Sequence, residues 1–163
     1  MARFRDPSTS IQTLSGSTDE GTWNIIGGTF DPGTGIINAG DQPQFTGDPL
    51  FSGHYTVIGN ICHFGIDVDM DNIDDFGDGQ YYMMLPFTSH HNIVVSDGCL
   101  HDESTGNQYA VLGHIVAGSD KMNLFSISSN GQHVPFSDSL NSPIKLDELD
   151  NFHISGTYEI SPL

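Results

Sequence analysis

The chain has 163 residues, with 21 Asp plus Glu against 4 Lys plus Arg and a net charge of −17 at pH 7. That length suits one domain with one hydrophobic core, and that charge repels nucleic-acid phosphates and anionic membranes. An apolar fraction of 36%, with 10 Phe and 5 Tyr, excludes a disordered composition, and 19 Gly and 8 Pro along the chain point to many short strands and turns.

Residues 1–20 are polar and aperiodic, and read as an extended N-terminal arm ahead of a domain over residues 21–163. Arg3, Phe4 and Arg5 are its anchoring candidates. Only Lys121 and Lys145 are left as cations in the body, so a basic arm on an acidic body suits docking on an acidic neighbour, including another copy.

From Gly21 the pattern is strand and turn. Thr22–Ile26 reads as a short strand ending at Gly27-Gly28, and Asp31-Pro32-Gly33-Thr34-Gly35 is turn chemistry. Ile36-Ile37 reads as a brief strand before a polar loop over Asn38–Pro49. His54–Ile58 leads into Gly59-Asn60, a hairpin turn signal, and Ile61–Met70 follows. Phe64, Ile66, Val68 and Met70 alternate with Gly65, Asp67 and Asp69, the period of a half-buried strand. Tyr55 and Phe64 are expected to pair on the core face. Asp71–Gly79 is an acidic loop, and Gln80–Phe87 reads as its return strand, limited by Pro86.

Strands are expected over Asn92–Ser96, Gln108–Ala117, Met122–Ser128 and Asn151–Ile160, with turns at Asp97-Gly98, Gly118-Ser119 and Asn130-Gly131. The best helical candidate, Pro143–Leu149, is short. The expectation is an all-β, antiparallel β-sandwich or jelly-roll-like knob of about eight to ten strands.

Several pieces together resemble a domain of tailed-phage structural proteins. Gly53-His54-Tyr55-Thr56-Val57-Ile58-Gly59-Asn60 matches its G-x-Y-x-x-I-G-N, and Leu85-Pro86-Phe87 its later LPF. Glu20-Gly21-Thr22-Trp23 is similar to the opening that often precedes it, and Ser155-Gly156-Thr157-Tyr158 to its closing SGTY strand. The acidic stretch Asp71–Asp78, His54 and Val57 depart from the pattern. The resemblance implies a virion knob, often a homotrimer, used as a fibre tip or decoration. It implies no catalytic residues.

Three constellations bear on chemistry. Asp67, Asp69 and Asp71 have the first spacing of a calcium loop and would share one strand face, making them candidate ligands for Ca²⁺. An EF-hand fails, with Asn72 at its glycine position and Asp78 at its glutamate position, and a solvated acidic face is the plainer reading. Trp23, Tyr81 and Tyr82 are candidates for glycan or surface contact. The eight histidines lack zinc-site spacing, and the adjacent pair His90-His91 would face opposite ways on a strand.

Cys62 and Cys99 read as free thiols, too few for a disulfide framework. There is no G-x-S-x-G elbow, so no enzyme is expected. No apolar run approaches a ~20-residue membrane span, and no secretory apolar core is present, which points to synthesis in a cytoplasm. What the resemblance implies first is a capsid decoration (cement) protein, assembled in the host cytoplasm and carried on the virion. Its partners would be the major capsid protein or another virion protein, and copies of itself. The second is a receptor- or glycan-binding knob of a tail or head fibre.

Overall fold

Alternation of inward apolar and outward polar side chains organises the molecule. The computed structural model describes residues 14–18, 21–30, 32, 34–37, 44–45, 50–70, 73–75, 79–136 and 150–161. Among these there is no helix. The strands are Leu14–Thr18 (β1), Gly21–Phe30 (β2), Thr34–Ile37 (β3), Gln44–Phe45 (β4), Leu50–Ile58 (β5), Ile61–Asp69 (β6) and Ile73–Asp75 (β7). They continue with Gln80–Met84 (β8), Ile93–Asp102 (β9), Asn107–Ile115 (β10), Lys121–Ile127 (β11), His133–Pro135 (β12) and Asn151–Glu159 (β13).

The main antiparallel sheet runs β1-β2-β5-β6-β13-β9-β10-β11-β8-β3, with β12 beside β11, while β4 and β7 form a separate ribbon. The count exceeds the expected eight to ten because β4, β7 and β12 have only two or three residues each, too few to show a period.

One face of the main sheet is apolar. Tyr55, Phe64, Ile66, Val68, Leu100, Val111, Met122, Leu124, Phe152, Ile154 and Tyr158 are all buried on it. A sheet with one apolar face must cover that face, and here it curls into a half-barrel whose walls face each other across one core, in a sandwich-like manner. Edge-to-face Tyr55–Phe87 at 5.1 Å and stacked Phe136–Phe152 at 6.3 Å connect parts of that core.

The β5–β6 hairpin forms as expected. Gly59 takes φ 64° in a two-residue turn, Ile58 pairs with Ile61, and Tyr55 pairs with Phe64.

Other elements differ from the sequence reading. β2 runs on through Gly27-Gly28, because a Cβ at Gly28 would lie 2.8 Å from the Tyr55 hydroxyl; these glycines admit a neighbouring ring and do not end a strand. β9 likewise passes through Asp97-Gly98, where Gly98 lies close against the Val111 carbonyl and the β9–β10 register shifts. β8 is not the return strand of β6. Both edges of β6 are taken by β5 and β13, and β8 lies between β11 and β3. Leu14–Thr18, within the expected arm, pairs with β2, and Arg3, Phe4 and Arg5 lie outside the described residues, as does Pro143–Leu149.

Candidate functional site

Register decides which outward side chains meet. Pairing sets Ser52, Asp67, His153 and Cys99 in one row across β5, β6, β13 and β9. The next row brings together Asp69, Asn151 and His101. These two rows, with the backbone of Val68 and Phe152 between them, line a shallow groove of about 360 Å³ on the outer face. Asp67 and Asp69 thus share one face, as their alternation predicts, while Asp71 lies outside the described residues.

Polar side-chain contacts, most of them between neighbouring strands, recur on this face. His153 Nδ1 lies 2.8 Å from Asp67 Oδ1, which orients the imidazole. The two side chains are 49% and 59% exposed, so water screens the pair and it is worth little in stability. His101 Nδ1 is 3.0 Å from Glu103 Oε1. The Ser155 hydroxyl donates to Asp97 Oδ2 at 2.8 Å, and Thr157 Oγ1 lies 2.8 Å from His63 Nδ1. The groove therefore offers carboxylates, imidazoles and one thiol to a ligand rich in hydroxyls or positive charge.

The two cysteines lie on opposite faces and are free. Cys99 is half-buried in the outer groove. Cys62 is fully buried in the core, and burial pushes its thiol up to about 11, with the neighbouring Tyr158 hydroxyl partly offsetting the rise.

The aromatic candidates divide. Tyr81 is not a surface residue: it is 5% exposed and packs on Phe136, because inward positions on β8 fall on Tyr81 and Met83. Tyr82 faces out, half-buried, with Lys121 Nζ 4.5 Å from its ring centroid. Trp23 belongs to β2, and its side chain lies outside the described residues.

His90 and His91 also depart from expectation. They occupy a bend before β9, not a strand, and their rings come together at 4.4 Å between centroids. Sequence reasoning missed this pair as a unit, and it missed His153, His101 and Cys99 as groove residues. The chain offers no local signal for the groove, since Asp67 and His153 are 86 residues apart.

Gly53–Asn60, Leu85–Phe87 and Ser155–Tyr158, far apart in sequence, are joined through Tyr158 and its neighbours. The Asn60 carbonyl accepts the Ile160 N–H at 2.8 Å, and Asn60 Nδ2 donates to Glu159 Oε1 at 2.5 Å. Phe64 and Tyr158 pack edge to face at 5.8 Å, and Phe87 packs on Tyr55. The Tyr158 hydroxyl donates to the Phe87 carbonyl at 2.9 Å. Gly156 sits beneath Val95 and Phe64, where a Cβ would have no room. Comparison of the chain with known protein families, curated proteins and solved structures found no match.

Proposed function

We propose that this chain is a phage virion structural protein, a capsid decoration protein that acts by assembly and surface contact and carries out no catalysis. The observation that supports the reading is the meeting of Gly53–Asn60, Leu85–Phe87 and Ser155–Tyr158 around Tyr158. Each piece has a packing role that depends on the others. The proposed partners are the major capsid protein or another virion protein and further copies of the chain in a homotrimer. The contact is assigned to the residues ahead of β1, with Arg3, Phe4 and Arg5, on an acidic neighbour. The net charge of −17 would then face solvent.

The test is occupancy. Full-length protein should co-sediment with purified heads at a fixed copy number, and deletion of residues 1–10 should abolish it. Full decoration by the deleted protein would refute the arm's role, and absence of the full chain from particles would refute the proposal.

The outer groove favours a glycan-binding knob as the second reading, since Asp67, Asp69, Asn151 and His153 present the hydrogen-bonding groups that sugar hydroxyls use. Binding of the isolated domain to host cells, lost in Asp69→Ala, would favour it.

A further inference from the structure

We infer that His90, His91 and Glu159 form a binding site for a divalent transition-metal ion of the Zn²⁺ class. Their ligand atoms all lie within 4.8 Å of one another. Two imidazole nitrogens and one carboxylate oxygen suit Zn²⁺, Ni²⁺ or Cu²⁺, whereas Mg²⁺ and Ca²⁺ prefer oxygen ligands throughout.

The geometry is close to what such an ion needs. His91 Nε2 and Glu159 Oε2 are 3.1 Å apart. Two ligands at ~2.0–2.1 Å from one tetrahedral ion are separated by ~3.3–3.4 Å, so this pair already has the required span. His90 is also exposed, and one of its ring nitrogens lies within 4.8 Å of both. Three protein ligands leave at least one position for water, and the side chain of His91 is 64% exposed to it.

The surrounding backbone holds the ligands in place. His90 N–H donates to the Glu159 carbonyl at 2.8 Å, fixing the bend against the end of β13. Buried Ser89 bridges to Ile160, and its hydroxyl donates to the His91 carbonyl at 2.8 Å. Asn60 Nδ2 holds Glu159 Oε1, which leaves Oε2 toward His91. Such second partners fix the orientation of a ligating carboxylate. An ion here would tie together the β5–β6 turn, the bend at His90 and the end of β13.

The experiment is calorimetric titration of chelator-treated full-length protein with Zn²⁺ in a large excess of Mg²⁺, which saturates non-specific acidic sites. The parent should bind Zn²⁺ with a rise in melting temperature. His91→Ala and Glu159→Gln should weaken that binding by at least the ~10–100-fold typical of a lost supporting partner, while His101→Ala leaves it unchanged. Binding in His91→Ala and Glu159→Gln identical to the parent would overturn the site, as would the absence of binding in the parent. A readout that needs no variant is paramagnetic broadening by Co²⁺ in NMR spectra of the parent. It should centre on residues 59–60, 89–91 and 159; broadening centred on His101 and His153 would overturn the assignment.

Discussion

Tyr158 and Phe87 exchange two hydrogen bonds across 71 residues of sequence: the Tyr158 hydroxyl donates to the Phe87 carbonyl at 2.9 Å and accepts from the Phe87 N–H at 3.2 Å. This one hydroxyl satisfies both backbone groups of a residue that follows β8, and it does so from a central strand. Tyr158 itself is 1% exposed. The link ties the segment after β8 to the middle of the sheet.

Tyr158→Phe keeps the ring and removes only the hydroxyl. It leaves two part-buried backbone groups short of a partner, a loss of ~1–3 kcal/mol. Differential scanning calorimetry should show a melting temperature lowered by about 2–4 °C for each kcal/mol lost. An unchanged melting temperature would contradict the structural role given to this link.

Alkaline pH should weaken the fold through the same region. Burial pushes the Cys62 thiol from 9.0 up to about 11, and Tyr158 is pushed above its usual range, by burial first and by Cys62 second. In both residues the folded state favours the neutral form. For Cys62 the stabilisation is full below pH 9.0 and is lost between pH 9.0 and about 11, as the unfolded thiol ionises and the folded one does not. The loss amounts to roughly 2–3 kcal/mol. Urea midpoints measured from neutral to alkaline pH should fall in that window and fall less in Cys62→Ala. Equal declines in the two proteins would contradict the assignment to Cys62.

Glycines on the two faces of the sheet should respond differently to a methyl group. At Gly156 a Cβ would lie 2.6 Å from Val95 Cγ1 and 3.0 Å from Phe64 Cε1, inside the core. Gly156→Ala should cost ~1–3 kcal/mol through overpacking. At Gly65 the Cβ meets the imidazole of His54, which is exposed and free to swing aside. Gly65→Ala should cost less than ~1 kcal/mol. Chemical denaturation of both variants checks the order, and a Gly65→Ala loss equal to that of Gly156→Ala would refute it.

Iodoacetamide should separate the thiols. Cys99, on the outer groove, should be alkylated in the native protein, and Cys62 only after denaturation. Intact-mass and peptide mapping before and after urea reads this directly. Native labelling at Cys62 as fast as in urea would contradict its burial.

Much of the local structure was legible in the chain. Gly59-Asn60 announced the β5–β6 turn, the alternation through Phe64, Ile66 and Val68 announced the inner face of β6, and Tyr55 was placed opposite Phe64. Glycine was the poorest guide. Gly28 and Gly98 look like turn residues, but they lie within strands because a ring or a carbonyl approaches there. Tyr81 and Tyr82 read alike as surface aromatics, and strand parity sends one into the core and the other outward.

The amino-acid sequence by itself determined the all-β class, the local hairpin at Gly59-Asn60 and which residues of β6 face inward. These follow from a side-chain period of two and from backbone preferences, which act over a few residues. Only the tertiary structure decided that β8 pairs with β11 and β3, that Asp67, His153 and Cys99 share a row, and that His90 and His91 meet Glu159. Those relations depend on register between strands distant in sequence. Register is set by how the apolar face of the whole sheet closes over one core, which no short window of residues contains.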